Sequence, residues 1–341
     1  MISSKVVVLG KLRARSFASS PKIPKKVLVT GSNGQIGLEL LPALHKRYGE
    51  ANVIASDIRS APGAGYFAEG GAKFVYLDVL DASALNKLIV EEGITAVIHN
   101  VAILSAVGEA QPALALKVNN IGTENVFEAC IRHKLQCFVP STIAVFGPTS
   151  PKDNTPDDCI LRPTTMYGLT KIHTELLGEY YYRKFGLDFR SLRYPGVISS
   201  VGVPGGGTTD YAVDIYHKAL IKNRFSCFLK EDSALPMIYM PDLLQGTISL
   251  MEADPSRLRR RVYNMGSLSF TPKQLAESIQ KHWSKDFHIS YKPDSRQAIA
   301  NSWPRSIDSS NATADWGWSP KYDLDAMTID MVTVLKKRYN R

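Results

Sequence analysis

Cysteine is scarce in this chain. Its 341 residues hold four, Cys130, Cys137, Cys159 and Cys227, with no CxxC pair and no Cys/His cluster at metal-ligand spacing. That pattern argues against a zinc site, so no metal is expected and the thiols read as reduced core or surface groups. Long apolar runs are missing too. Nothing approaches the roughly 18 residues that a membrane-spanning helix needs, and no membrane association is expected. One dense basic cluster, "RLRRR" at 257–261, has no aromatic interleaving and no nucleic-acid module around it, so it reads as a turn rather than a nucleic-acid patch. Internal repeats and low-complexity linkers are absent.

Acidic residues are also missing, but only locally: the first is Glu39. Ahead of it stand Lys5, Lys11, Arg13, Arg15, Lys22, Lys25 and Lys26. Setting those seven charges aside reduces the net charge of +9 to about +2 for the remainder. Basic, serine-containing and free of acids, residues 1–24 have the composition of a mitochondrial transit peptide. Within it "RARSFASS" looks like a matrix-processing site, with cleavage after Phe17. A disordered basic tail is the other reading.

From Lys25 onward, short apolar stretches alternate with helical spacing. "KKVLVTG" is a strand ending in a glycine turn, and Ile36, Leu40 and Leu44 mark a helix over 35–48. "NVIASD", "KFVYLDV", "TAVIHNVA", "QCFVPST" and "LDFRSLRYPG" supply further strands. Helices are expected over 84–93, 112–134 and from Pro163 to about Lys184. This order predicts an α/β fold: a Rossmann-type doubly wound parallel sheet with a smaller C-terminal substrate lobe. The expected division is 25–198 for the dinucleotide-binding part and 199–341 for the lobe, interleaved with the sheet core. In the lobe, helices are expected near 209–222, 271–283 and 324–338.

"TGSNGQIG" sets Gly31, Gly34 and Gly37 three apart, directly after a strand and at the start of a helix. Gly31 permits a sharp turn, Gly34 a close approach of backbone to a pyrophosphate, and Gly37 close helix–sheet packing. Ser32, Asn33, Gln35 and Ile36 complete the turn against the helix N-terminus. The spacing departs from G-x-G-x-x-G, but Asp57 ends the second strand where a carboxylate accepts hydrogen bonds from the adenosine ribose. A 2′-phosphate there meets like charge, so NAD is expected over NADP, with Arg59 nearby as the one counterweight. Asp78 and Val79, and Asn100, Val101 and Ala102, fall at the next two strand ends; Asn119 is assigned to the same cofactor set.

"MYGLTK" places Tyr167 and Lys171 four apart on one helix face. A phenol with a pKa of ~10 is a poor base at neutral pH, and a nearby ammonium is expected to lower it. Gly168 inside that helix suggests close approach of a cofactor. Ser141 and Thr142, at the end of "QCFVPST", bring hydroxyls to the same edge. A further stretch, "PGGGTTDYAV" at 204–213, sets glycines before Thr208, Thr209 and Asp210. It reads either as a flexible loop or as a small-ligand cradle, with Asp210 either capping the next helix or binding a cation.

With these motifs in this order, the chain resembles the extended short-chain dehydrogenase/reductase superfamily over residues 25–340. "GGGTTDYAV", "LPMIYMPD", "DSRQAIANSWP" and "DWGW" resemble the short-chain L-threonine 3-dehydrogenases within it, with Asn301 standing where an aspartate is expected. The resemblance implies oxidation of the β-hydroxyl of L-threonine. Tyr167 would take the hydroxyl proton, Lys171 would bind the nicotinamide ribose, and Thr142 and Ser141 would orient the oxygen. Tyr194, Pro195 and Val197 would line the nicotinamide. For the zwitterionic substrate, Thr208 and Thr209 would meet the carboxylate and Asp210 the ammonium, with Ser105 and Trp303 in the wall. It implies further that the product is 2-amino-3-oxobutyrate, passed to a CoA-dependent ligase. A homodimer would form through the Tyr167 helix and the one before it, with Leu176, Leu177, Tyr180 and Tyr181 at the seam. Two other functions occur on the same fold. One is a sugar-nucleotide epimerase or dehydratase, for whose diphosphate and nucleobase the stretch at 204–213 is a poorer fit. The other is a non-enzymatic dinucleotide-binding protein, which typically lacks the Tyr/Lys pair intact here.

Overall fold

The computed structural model describes residues 23–59, 73–202 and 207–340. The basic leader up to residue 22 and the loop residues Pro204, Gly205 and Gly206 lie outside them.

Strands and helices alternate from the start. β1 (Val27–Thr30), α1 (Gln35–Tyr48), β2 (Val53–Asp57), β3 (Lys73–Tyr76), α2 (Ala82–Glu92) and β4 (Ala96–His99) follow in order. Two short helices come next, α3 (Ser105–Ala110) and α4 (Pro112–Leu116), then α5 (Gly122–His133). β5 (Gln136–Phe138), β6 (Ser141–Thr142), α6 (Met166–Phe185) and β7 (Asp188–Tyr194) complete the first part. β1, β2 and β4 are buried along their whole length, the mark of parallel strands covered on both faces.

After Pro195 the chain leaves the main sheet. β8 (Gly196–Ile198), α7 (Tyr211–Lys222), β9 (Arg224–Cys227), β10 (Leu235–Tyr239) and α8 (Met240–Glu252) are followed by β11 (Val262–Asn264) and β12 (Leu268–Phe270). α9 (Pro272–His282), β13 (His288–Tyr291), α10 (Arg296–Ser302), α11 (Ser310–Trp316) and α12 (Leu324–Tyr339) end it. The main sheet runs β11-β7-β5-β4-β1-β2-β3, with β6 also paired to β7, and every pairing is parallel. Strand order reverses beside β1, so β1 and β4 flank the switch point where such sheets bind ligands. Small sheets β12-β10-β8 and β13-β9 belong to the C-terminal part.

Two apolar clusters cover the faces of the main sheet. One joins Leu40, Leu44 and Tyr194 to Leu243, Leu250 and Trp318 from far along the chain; the other joins Leu85, Phe127 and Phe189. A third, around Tyr216, Leu275 and Met331, is the core of the C-terminal part. β11 and α8 therefore complete the main sheet and its apolar cover from within 199–341.

Three local expectations change. The helix expected from Pro163 begins at Met166, because the Thr165 side chain caps the Gly168 N–H at 3.1 Å. The helix expected over 112–134 is interrupted by a single π turn, Lys117–Ile121. The strand expected over 136–142 breaks at Pro140, which has no N–H to give to the ladder. The four seam residues also divide: Leu176 and Tyr180 are exposed, whereas Leu177 and Tyr181 pack inward with Phe127 and Phe189. "RLRRR" is drawn into internal pairs, Arg259 with Asp315 and Arg260 with Asp158, while Arg261 lies over the Tyr182 ring.

Candidate active site

The glycine turn is built by contact rather than by composition. Gly31 has φ 69°, and a Cβ there would stand 2.8 Å from the Val101 nitrogen. A Cβ on Gly37 would meet the Ser32 carbonyl oxygen at 2.5 Å. Gly34 differs, since only the Gly31 carbonyl oxygen lies within reach of a Cβ, at 3.3 Å. Its outer side is open. The N-terminus of α1 has no side-chain cap and no acid in its first turn, which leaves its N–H groups facing the same space.

Polar groups around this turn await partners. Ser32 Oγ and both amide atoms of Asn100 are buried without a hydrogen-bond partner among the described residues. Such groups are costly unless something pairs with them. Asp57 closes the turn from β2: its carboxylate accepts the N–H groups of Asn33 and Arg59, both at 3.0 Å, and the Arg59 Nε at 3.4 Å. Two of these donors sit on Oδ1 and one on Oδ2, so Oδ2 keeps lone-pair capacity for another donor. An anion cradle, an acceptor carboxylate and orphaned buried donors together fit a dinucleotide. Asp78 bonds the Leu80 N–H at 2.9 Å, and Val79 is buried with its carbonyl held by Asn125. Val101 and Ala102 are half-buried beside Asn100.

Asn119 is committed to the protein. In the π turn, its side chain bonds the Ile103 N–H at 2.7 Å, the Ile103 carbonyl at 3.0 Å and the Thr170 hydroxyl at 3.0 Å. It ties the segment after β4 to α6.

α6 carries Tyr167 and Lys171, the candidate reacting groups. Its start is fixed twice, by the Thr165 cap and by Glu109 of α3, which accepts the Met166 N–H at 2.7 Å. Gly168 is required by protein, not by a ligand: a Cβ there would stand 2.2 Å from the Ala144 carbonyl oxygen. The turn at 143–145 thus packs directly on α6 and sets Thr142, whose hydroxyl accepts the Ala144 N–H at 3.2 Å, close enough to Tyr167 to favour its phenolate. Ser141, adjacent in sequence, points the other way. It is buried and donates to Glu175. Successive strand residues face opposite sides, and Thr142 holds the cleft side.

The ionisation balance reverses the expected one. Lys171 Nζ lies 5.8 Å from the Tyr167 ring centroid and donates to the Pro140 carbonyl at 2.7 Å. That carbonyl is available because the strand breaks there. Burial pulls the Lys171 ammonium down to about 8, opposed by the Glu175 carboxylate. Burial also pushes the Tyr167 phenol up to about 12, with the Thr142 hydrogen bond pulling the other way. These protein groups alone do not make the phenol acidic, because desolvation outweighs an ammonium that does not touch the hydroxyl.

The C-terminal part closes on this edge. Trp303 packs between the lobe core and the cluster of Ile143, Val145 and Phe146 beside Thr142. Sequence reasoning missed Lys152, which anchors that approach by donating to the carbonyls of Asn301, Ser302 and Trp303 at 2.9, 2.9 and 3.2 Å. Thr208 is buried, and a Cβ on Gly196 would stand 2.6 Å from the Thr209 methyl, so Thr209 packs on β8. Asp210 makes no cap to α7; its carboxylate accepts the Gly207 N–H at 2.9 Å and closes a turn ahead of the helix. Ser105 opens α3, half-buried. Tyr194 is turned into the core, its hydroxyl 2.6 Å from Thr247 Oγ1, while Val197 on β8 stays half-buried. Glu39 was also missed: it accepts the Ser199 hydroxyl and links α1 to the chain entering the glycine loop.

The model of the NAD dependent epimerase/dehydratase family matches residues 27–266. The chain belongs to that family. A Bos taurus relative named "L-threonine 3-dehydrogenase, mitochondrial" is 49% identical over 324 residues, covering 95% of this chain and 85% of the relative. Among solved structures, an L-threonine dehydrogenase from Phytophthora infestans is 52% identical with a TM-score of 0.88, covering 92% of this chain and 99% of its own. Another, from Clostridium difficile, is 44% identical with a TM-score of 0.90, covering 93% and 99%. The family's fold is the one described above, and its name matches the cradle's fit to NAD.

Proposed function

We propose that this chain is an NAD-dependent L-threonine 3-dehydrogenase that oxidises the β-hydroxyl of L-threonine to 2-amino-3-oxobutyrate. The observation that carries the proposal is the convergence of Tyr167 and Thr142 side chains, with Lys171 one turn behind and held by the Pro140 carbonyl, at the switch-point edge of a dinucleotide cradle. The names of the relatives supply the substrate. When bound, NAD supplies the acceptor for the hydride leaving Cβ. Gly31, Ser32, Asn33, Gly34, Gln35, Ile36 and Gly37 would hold its pyrophosphate, and Asp57 its adenosine ribose. The Arg59 guanidinium meets the Asp57 carboxylate only through Nε at 3.4 Å, so the carboxylate's repulsion of a 2′-phosphate is partly offset and the preference for NAD rests on Asp57 bonding the ribose hydroxyls.

Thr142 holds the substrate oxygen in line with the Tyr167 hydroxyl. Tyr167 takes the proton of the β-hydroxyl; the protein groups alone hold its phenol up at about 12, so the phenolate form would need the positive charge that the oxidised cofactor brings to the cleft. Lys171 would donate to the ribose of the nicotinamide while Pro140 fixes its direction. Expelling water from the cleft leaves the amino acid's charged ends in need of partners. Thr208, Thr209, Ser105 and Asp210 are the polar groups assigned to them, and Trp303 closes the wall. Pro195 and Val197 would flank the nicotinamide, with Tyr194 contributing backbone only.

The leader, basic and acid-free, supports import into the mitochondrial matrix, in line with the name of the Bos taurus relative. Leu176 and Tyr180 on α6, with Ile121 at the head of α5, support a homodimer through those helices. A β-keto acid product decarboxylates readily, which favours a CoA-dependent ligase as the next enzyme.

A substrate panel tests the reading. Absorbance should report NAD reduction with L-threonine, less with L-serine, none with 3-hydroxybutyrate, and far less when NADP replaces NAD. No turnover of either amino acid, together with calorimetric binding of a UDP-sugar, would replace this function with sugar-nucleotide chemistry.

A further inference from the structure

The catalytic face of α6 does not stop at Lys171. Tyr167, Lys171 and Glu175 are spaced four apart, so they form one line along the helix. Glu175 is only 3% exposed, and its charge is fully engaged. Its carboxylate accepts Arg193 Nε at 2.9 Å and Nη2 at 2.8 Å, and it also accepts the Ser141 hydroxyl. The remaining guanidinium nitrogen of Arg193 donates to the Asp157 carbonyl at 2.7 Å and to Asn264 Oδ1 at 3.3 Å. The Phe146 ring covers the guanidinium at 5.3 Å. Lys171 therefore has a carboxylate one turn away that does not capture it.

The charged and titratable groups facing Lys171 come from several elements. Tyr167 and Glu175 share its helix. His99 reaches it from β4, held between Thr30 Oγ1 at 2.7 Å and Thr123 Oγ1 at 3.3 Å and kept neutral by burial. Arg193 stands on β7, with Asp157 beyond it. Glu109, Lys117 and Glu124, on the neighbouring helices, lie toward the surface.

We propose that Glu175, clamped by Arg193 and Ser141, is a positioning residue that sets the charge of the Lys171 ammonium, with Arg193 opposing it. This rests on the reading of Lys171 as a cofactor-binding lysine. A bidentate clamp leaves the carboxylate as half of a buried dipole. Its pull on Lys171 is enough to offset part of the burial penalty but not enough to draw Nζ away from Pro140. Deleting the carboxylate charge strips that attraction and exposes Lys171 to the Arg193 cation, so the ammonium loses its proton at lower pH. Deleting the Arg193 charge unmasks the carboxylate, so the proton is held to higher pH. A purely structural ion pair has no reason to produce opposite signs.

The test is the midpoint in the pH dependence of NAD affinity, measured by calorimetry on the full chain. Glu175→Gln should move that midpoint to lower pH by about one unit, and Arg193→Gln to higher pH by a similar amount. The Glu175→Gln/Arg193→Gln double variant should return it close to wild type. Both single variants moving the same way, or neither moving, would overturn the proposal, as would a wild-type affinity that does not change with pH. If a single variant fails to fold, Ser141→Ala decides. Removing that donor strengthens the carboxylate's pull, so an upward shift supports the proposal and an unchanged or lowered midpoint ends it. Turnover of L-threonine is recorded separately: its absence with NAD binding intact would refute the substrate reading and leave this test standing.

Discussion

At the scale of single residues, the site holds its two key groups against their ordinary ionisation. Lys171 is drawn from 10.5 down to about 8, and Tyr167 pushed from 10.0 up to about 12. For Lys171, the unfolded chain binds more protons than the folded one between those values, so its burial penalty fades as pH rises from about 8 to 10.5. For Tyr167 the sign is opposite: its contribution to stability is present below pH 10 and is lost as pH rises through about 12. Lys171→Met should therefore unfold later than wild type in urea at neutral pH. The gain is about 3 kcal/mol from the relieved charge, less about 1 kcal/mol for the hydrogen bond to Pro140. The gap should close by pH 10.5, the ordinary lysine value. An equal gap at both pH values would show that the ammonium is not held against its preference. Spacing in the sequence showed that Tyr167 and Lys171 share a face. Which way burial tilts them was not legible there, because it depends on the Pro140 carbonyl and on the depth of the cleft.

At the scale of elements, the site depends on breaks as much as on continuity. Pro140 ends β5 and frees a carbonyl for Lys171; Pro195 ends β7 and sends the chain into the small sheet with β8. The alternation of strands and helices was legible from apolar spacing, as was the glycine turn. Less legible were β11, three residues whose pairing with β7 is fixed by distant chain, and the direction of the Ser141 side chain, which only the Glu175–Arg193 pair explains. Gly168 shows the same limit. In sequence it suggested a cofactor, whereas in space it accommodates the Ala144 carbonyl. Gly168→Ala should destabilise the protein by about 1–3 kcal/mol, the range for overpacking. It should also lower kcat more than it weakens NAD binding, since it moves Thr142 away from Tyr167. Thermal unfolding and calorimetry measure the two effects, and an unchanged melting temperature would refute the packing argument.

At the scale of the whole molecule, Leu176 and Tyr180 on α6 and Ile121 in the turn before α5 are exposed, with Tyr180 touching Tyr181 and Phe185 of its own helix. Apolar residues on a helix face with neighbouring exposed aromatics are a common seam between protomers. Leu176→Glu should convert the proposed dimer to monomer by light scattering, while a wild-type mass already monomeric would remove that proposal. The larger claim is that one phenol, paired with a threonine hydroxyl at the edge of a dinucleotide cradle, performs the proton transfer for the entire protein. Measuring NAD reduction by L-threonine in wild type and Tyr167→Phe, with NAD affinity determined on the same samples, tests it most directly. The account predicts a loss in kcat of at least about 100-fold with NAD affinity retained. Turnover in Tyr167→Phe close to wild type would contradict it.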